Sequence, residues 1–95
     1  MSPVLAVSVF VPSPLREYCG GASRLSLAAS TVREALGELA VQYASLYPNV
    51  CDETGSVRRH INLFVNNDNT RDLAGLDTRL APGDVLTILP AVSGG

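Results

Sequence analysis

Hydrophobic and polar residues alternate along four stretches of the chain, and a period of two predicts β-strands. Between residues 4 and 11 the odd positions are all aliphatic, whereas the even positions are mixed. The alternation returns at 24–28 and 61–66, and a last strand-like run covers 84–89. We therefore predict strands with one buried face, the first two forming a hairpin with a long connection.

The stretch between the second and third strands has the period of a helix. Its apolar residues recur at intervals of three and four from Val32 to Tyr47, which places them on one face. Thr31 and Glu34 form the T-x-x-E pattern of a capping box, and Pro48 disfavours helical angles at the residue before it. We predict one helix from Thr31 to Tyr47 that covers the sheet.

The remaining segments carry turn and loop residues. We predict an exposed loop at 49–59, a turn at 66–69, a short strand at 70–73, one helical turn carrying Leu76 and Leu80, and a type II turn around Pro82 and Gly83. The order strand, strand, helix, strand, short strand, strand predicts an α+β fold, with a mixed sheet and one main helix packed on one face.

Size and charge exclude several classes of function. A chain of 95 residues forms one domain and leaves little room for an internal active site. Its net charge is -2, and its one basic run is Arg58-Arg59-His60, so we expect no nucleic-acid partner. No apolar run reaches the ~20 residues of a membrane span, and the start does not resemble a signal peptide, so we expect no membrane contact and a cytoplasmic location.

The candidate metal-binding and nucleophilic residues are few. Cys19 and Cys51 fall in predicted loops, and we expect both to be reduced thiols without a catalytic role. His60 is the only histidine, so we predict no metal site. All seven basic residues are arginines, which we attribute to codon usage in a GC-rich genome.

The last six residues differ from the rest of the chain. They follow the last predicted strand and end in Gly94 and Gly95, which lack side chains and would thread a narrow channel. Pro90 cannot donate a backbone hydrogen bond, so sheet pairing should weaken there. We predict a domain at 1–89 and a flexible tail at 90–95 whose carboxylate reacts; the alternative is an ordinary frayed terminus.

The final block, residues 80–95, closely resembles the C-terminus of the prokaryotic ubiquitin-like sulfur carriers. Residues 62–67, followed by Asp68 and Arg71, also resemble the central hairpin of that family. The family includes the small subunit of molybdopterin synthase, the thiamine sulfur carrier and a carrier of cysteine synthesis, and the likeness is strongest to the last. The resemblance implies a β-grasp fold over essentially the whole chain.

The resemblance also implies a function for Gly95. In the family, an E1-like enzyme uses ATP to convert the terminal carboxylate to an acyl adenylate, and a sulfur donor then converts it to a thiocarboxylate. In the cysteine branch the sulfur attacks an aminoacrylate on the pyridoxal phosphate of a cysteine synthase, and a metal-dependent protease releases the product. By this resemblance the chain is a co-substrate rather than an enzyme, and the cofactors belong to its partners.

Partner enzymes must recognise the carrier. Phe10 and Phe64 lie on the sheet face opposite the aliphatic one, and with Leu89 they predict an exposed apolar patch near the tail. The alternative is that one of the phenylalanines packs under a loop. The other partner-binding residues that we predict lie in the tail: Pro90, Val92 and Ser93. We expect Arg71 and Arg79 to be solvated rather than to bind partners.

Two other functions fit the same resemblance. The chain would be the small subunit of molybdopterin synthase, or a ubiquitin-like modifier that forms isopeptide bonds between Gly95 and lysines of other proteins. The sequence leaves open the sulfur acceptor, the sulfur donor and the oligomeric state.

Overall fold

The computed structural model describes residues 6–90, which form a five-stranded sheet with an α-helix against it. The strands are β1 (Ala6–Phe10), β2 (Arg24–Ala28), β3 (Ile61–Val65), β4 (Asp68–Asn69) and β5 (Val85–Pro90). The α-helices are α1 (Val32–Gln42) and α2 (Tyr47–Val50), and short 3-10 helices cover Ser13–Cys19, Thr70–Asp72 and Gly75–Asp77. The predicted α+β arrangement is confirmed.

The first and last strands of the chain lie side by side inside the sheet. The strand order is β2-β1-β5-β3-β4, with β1 and β5 parallel and the other neighbours antiparallel. The predicted hairpin of β1 and β2 is confirmed by five pairs from Ala6↔Ala28 to Phe10↔Arg24. β5 is therefore the central strand of the sheet, with partners on both sides.

One face of the sheet forms the core with α1. Every second strand residue is buried there, as alternation requires. These strand residues are Val7, Val9, Leu25, Leu27, Ile61, Leu63, Val65, Leu86 and Ile88. The helix contributes Val32, Ala35, Leu36 and Leu39 from the predicted apolar stripe. The buried aliphatic set therefore follows the pattern of the sequence closely.

The capping box at the start of α1 forms with one change of partner. The Thr31 hydroxyl accepts a hydrogen bond from the Glu34 N–H at 3.1 Å, as predicted. The Glu34 carboxylate reaches past Thr31 and accepts from the Ser30 N–H at 2.9 Å and the Ser30 hydroxyl at 2.7 Å. Both side chains thus stabilise the first turn of the helix.

The predicted end of the helix is wrong. α1 ends at Gln42, and Tyr43 adopts non-helical angles. A turn follows in which Leu46 N–H and Tyr47 N–H both donate to the Tyr43 carbonyl, so Leu46 still reaches the core and continues the apolar pattern. Pro48 lies in the first turn of α2, where a missing N–H costs nothing, rather than after the end of one long helix.

Three predicted connections also need correction. The 49–59 segment is not simply an exposed loop, because Val50 and Cys51 are fully buried. The short strand is Asp68–Asn69 instead of 70–73, since the Asn69 side chain accepts from the Arg71 N–H and starts a 3-10 turn there. Leu76 and Leu80 do not share one helical turn, because the 3-10 helix ends at Asp77.

The turn before β5 is as predicted. The Asp84 N–H donates to the Ala81 carbonyl at 3.0 Å, with Pro82 and Gly83 between them. Gly83 has a φ of 89°, which the third residue of a type II turn requires and which glycine adopts without strain. The turn aligns β5 beside β1.

Candidate functional site

The face of the sheet that α1 does not cover is the candidate site, and we call it the open face. Its residues alternate with the buried ones and are exposed or partly buried. They are Ala6, Ser8, Phe10, Arg24, Ser26, Ala28, Asn62, Phe64, Asn69, Val85, Thr87 and Leu89. This face combines apolar, hydroxyl, amide and arginine side chains, and its strand positions include no carboxylate.

Strand register places the two phenylalanines in one row. Phe10 of β1 pairs with Thr87 of β5, and Thr87 pairs with Phe64 of β3. The backbones of the two phenylalanines are therefore about 10 Å apart, or two strand spacings. Both rings are partly buried, and Leu89, two residues beyond Thr87, is 41% exposed. The structure brings Phe10, Phe64 and Leu89 to the same face, as the patch prediction requires.

Phe10 is partly covered by a side chain from the following 3-10 helix. The Arg16 guanidinium carbon lies 5.7 Å from the centroid of the Phe10 ring, within the range of a cation–π contact. The Arg16 Nε–H donates to the Val11 carbonyl at 2.9 Å, which fixes the guanidinium over the ring. The apolar patch at Phe10 is thus bordered by a positive charge.

The last strand of the sheet ends at the last described residue. β5 continues through Pro90, which stands opposite Ile61 of β3, so pairing extends one residue past the predicted domain boundary. Leu89 lies at this end of the open face, whereas Pro90, the register partner of the buried Ile61, belongs to the opposite face. The other predicted site residues, Val92, Ser93, Gly94 and Gly95, lie outside the described residues, as does the rest of the predicted flexible tail.

Arg71 and Arg79 lie away from the open face. Arg71 belongs to the 3-10 helix after β4, and Arg79 forms an isolated bridge with Thr31 at the start of α1. Both arginines are exposed. Their solvation remains a prediction, but neither borders the two phenylalanines.

The two cysteines are free thiols with local structural contacts. The Cys19 thiol donates to the carbonyls of Arg16 and Ala22 at 3.5 and 3.4 Å. Cys51 is 1% exposed, and its burial raises the pKa of its thiol, which favours the protonated and unreactive form. Within residues 6–90 no group of three His, Cys, Asp or Glu side chains could hold a metal ion.

A cavity of about 410 Å³ beside Cys51 was not predicted from the sequence. Its lining residues come from α2 and the loop after it: Tyr47, Pro48, Cys51, Asp52, Glu53 and Arg58. The segment had been interpreted as an exposed polar loop, so nothing in its pattern indicated a cavity. Across the described part of the chain, no helix is long and apolar enough to cross a membrane.

Sequence reasoning also missed Thr87, which lies on the open face, and Arg16, which borders that face at Phe10. Thr87 lies between the phenylalanines because β5 inserts between β1 and β3, and this topology cannot be derived from local alternation. Arg16 follows Pro12 and Pro14 in a segment that resembled a plain loop. The two prolines were the sequence feature that could have indicated the 3-10 helix, since proline is favoured near the start of a helical turn.

Comparison with known proteins shows similarities that cover nearly the full length of both chains. The sulfur carrier protein CysO of Mycobacterium tuberculosis is 35% identical over 91 residues, covering 94% of this chain and 98% of the relative. The crystal structure of the Amycolatopsis orientalis BexX/CysO complex matches with a TM-score of 0.85 and 35% identity, over 94% of this chain and 99% of that one. The solution structure of small archaeal modifier protein 1 from Methanosarcina acetivorans matches with a TM-score of 0.85 and 31% identity, over 99% and 100%.

These likenesses establish the β-grasp, ubiquitin-like fold that the sequence resemblance implied. The model of the ThiS family matches residues 9–95, which include all five strands except the first residues of β1 and extend through both terminal glycines. The chain therefore belongs to the ThiS family of ubiquitin-like sulfur carriers.

Proposed function

We propose that the chain is a sulfur carrier that delivers sulfur from a thiocarboxylate at Gly95, with cysteine synthesis as the favoured acceptor pathway. The observation that carries the proposal is its similarity to CysO over nearly the full length of both chains, at 35% identity. The family match continues through Gly95 and so includes the residue that would react. The chain contributes a carboxylate and a docking surface, and partner enzymes contribute the catalysis.

The proposed chemistry follows from the properties of a carboxylate. Its carbon is a poor electrophile until one oxygen becomes part of a leaving group, so an E1-like enzyme would transfer AMP from ATP to the Gly95 carboxylate and release pyrophosphate. A sulfur nucleophile then displaces AMP and leaves a thiocarboxylate. That sulfur would add to an aminoacrylate in a pyridoxal-phosphate-dependent cysteine synthase. An acyl shift would place cysteine on Gly95 in a peptide bond, and a metalloprotease would cleave it.

The described part of the chain supports a role in which this protein binds its partners and the partners catalyse the reactions. The open face presents Phe10, Phe64 and Leu89 at the end of the sheet where β5 leads to the tail. A partner that binds this face is positioned to receive the tail in its own active site. In one relative a partner is known, since CysO of Amycolatopsis orientalis forms a complex with BexX. We propose the cytosol as the site of action.

The test is the mass of the protein isolated from its native host, with an alkylating reagent added at lysis to trap thiocarboxylates. A C-terminal peptide in which sulfur replaces one oxygen of Gly95 establishes the carrier role. An added cysteine residue on Gly95 identifies cysteine synthesis. A variant without Gly95 is the control and should show neither product. A plain carboxylate throughout would contradict the proposal.

A second candidate function is that of a protein modifier, and the likeness to small archaeal modifier protein 1 favours it. Isopeptide conjugates between Gly95 and lysines of other proteins, resistant to thiol reagents, would identify this role in the same experiment. The chain has no lysine, so it cannot form such bonds through its own side chains. A stable complex with a large pterin-binding subunit would instead indicate the molybdopterin synthase role.

A further inference from the structure

Charge is unevenly distributed between the open face and the rest of the domain. The chain has nine acidic and seven basic residues, yet none of the nine carboxylates belongs to the open face. Asp68 belongs to β4, and Asp84 directly precedes β5. Asp68 pairs with the buried Val65 and so points to the helix side, and Asp84 precedes β5 with its carboxylate held by Asn66 and the Ala81 N–H. The open face is therefore locally positive on a chain of net charge -2.

Two arginines supply this positive charge, and both are next to Phe10. Arg24 of β2 is the register partner of Phe10, so their Cβ atoms are about 4.5–5.5 Å apart on the same face. Arg16 covers the Phe10 ring from the 3-10 helix, with its Nε engaged by Val11. Within residues 6–90 the one ion pair joins Arg33 to Asp77, so Arg16 and Arg24 have no carboxylate partner there.

Both arginines lie at the end of the sheet where β5 ends. β1 and β5 run parallel, and Phe10 stands beside Thr87, three residues before Pro90. Arg24, at the start of the antiparallel β2, is at the same end of the sheet. The unpaired positive charges are thus grouped at the end of the sheet where β5 ends and are not spread over the face.

We infer that the open face binds an acidic protein surface, in which carboxylates pair with Arg16 and Arg24 on either side of Phe10. The occupant is the enzyme that activates the tail, so the inference rests on the proposed function and adds the chemistry of recognition to it. Arg16 keeps its terminal N–H groups available, and a guanidinium binds a carboxylate through two parallel hydrogen bonds. Complementary charge also accelerates encounter and fixes the orientation of the two proteins.

The inference distinguishes Arg16 and Arg24 from the other arginines of the domain. Arg79 is exposed like Arg24 but lies beside the start of α1, on the helix side of the molecule. Reversing its charge changes the net charge by the same amount. Arg79→Glu is therefore the matched control for Arg24→Glu, and it separates a local contact from a general effect of net charge.

The experiment measures binding and turnover separately, with the E1-like adenylating enzyme of the same genome. Titration without ATP gives the Kd, and pyrophosphate release with ATP gives KM and kcat. We expect Arg24→Glu and Arg16→Glu each to raise Kd and KM about tenfold at low salt, with kcat nearly unchanged. Arg24→Gln should have a smaller effect in the same direction, and Arg79→Glu should stay within about twofold. Added salt should weaken wild-type binding more than Arg24→Glu binding.

The outcomes of this experiment separate the inference about docking from the proposed function. Wild-type affinity for both Arg24→Glu and Arg16→Glu, or an equal loss in Arg79→Glu, overturns the inference. Circular dichroism checks that the variants are folded, and Arg24 is the cleaner position because no side-chain hydrogen bond of Arg24 is present in the described structure. Wild-type binding that depends on Arg24 but leads to no adenylation would overturn the proposed function and leave the inference standing. Failure of the wild-type protein to bind the enzyme overturns the inference itself.

Discussion

The two faces of the sheet are built from the same strands but carry different kinds of side chain. The covered face is lined by buried aliphatic residues, with the exposed Asp68 at its β4 edge, whereas the open face carries Phe10, Phe64 and Leu89 among hydroxyl, amide and arginine groups. Neighbouring positions in one strand therefore belong to different functions. Stability depends on one set of alternating residues, and partner recognition, as proposed, depends on the other.

The largest expected effect is the loss of a buried side chain from β3. Leu63 is 2% exposed and packs in the core, so Leu63→Ala should lower the free energy of unfolding by about 2–5 kcal/mol. Its neighbour Asn62 lies on the open face, and Asn62→Ala should change stability by about 0.5 kcal/mol or less. Urea denaturation measures both. Similar losses in the two variants would contradict the separation of the faces.

Phe64, which follows Leu63 in β3, tests the function of the open face. Phe64→Asp places a charge on the open face, and we expect it to slow adenylation of the tail about tenfold while the domain remains folded. Ala28→Asp adds the same charge to the same face at the far end of β2 and should have little effect on the rate. A folded Phe64→Asp protein that is adenylated at the wild-type rate would count against the apolar patch.

The helix that covers one face depends on its first turn. The Thr31 hydroxyl satisfies the Glu34 N–H, so Thr31→Ala should lower the free energy of unfolding by about 1 kcal/mol. Thr31→Ser keeps the hydroxyl and should recover most of this loss. Thermal unfolding followed by circular dichroism compares the three proteins. Tail activation should remain at the wild-type rate in both variants, because Thr31 is not on the open face.

The outer surface of α1 offers a stabilising change. A Cβ added at Gly37 would meet no atom within 4 Å, and glycine is a poor helix former. Gly37→Ala should therefore raise the free energy of unfolding by about 0.5–1 kcal/mol. Gly83→Ala is the contrasting control, since its φ of 89° disfavours alanine and the change should destabilise the protein. Chemical denaturation shows whether each substitution raises or lowers the free energy of unfolding.

The smallest expected effect is a dependence of helix stability on acid. Hydrogen bonds from Ser30 lower the pKa of Glu34. The stability that the ionised Glu34 carboxylate contributes is therefore fully present above the ordinary glutamate pKa of about 4.3. That contribution is lost as the pH falls through the lower folded pKa. Glu34→Gln should therefore show a shallower decrease of stability on acidification than the wild-type protein. Parallel curves for the two proteins below pH ~4 would contradict this account.

The sequence predicted the sheet well because alternation is a local signal. Residues 7–11, 24–28 and 61–65 show one aliphatic face each, and the structure buries those faces. The predicted helix was too long because Leu46 is buried through a turn, and the spacing of its side chain imitates another helical turn. The role of Pro48 was ambiguous for the same reason, since proline can follow one helix or begin another.

The candidate site was only partly predictable. Alternation placed Phe10 and Phe64 on the face away from the core, but their separation depends on the insertion of β5 between β1 and β3. That insertion places the first and last strands side by side, and no local pattern encodes it. The grouping of Arg16 and Arg24 around Phe10 depends on strand register and on a 3-10 helix where a loop was expected. Their relation to the tail was therefore accessible only from the structure.

The central position of β5 has a mechanical consequence. A force that draws the tail into another protein acts along β5, and β5 is bonded to β1 on one side and to β3 on the other. Such a pull loads the hydrogen bonds of both ladders in shear, so that they must break together and not one after another. The domain can thus serve as an anchor under tension, and a partner can extend the tail without unravelling the sheet from which it emerges.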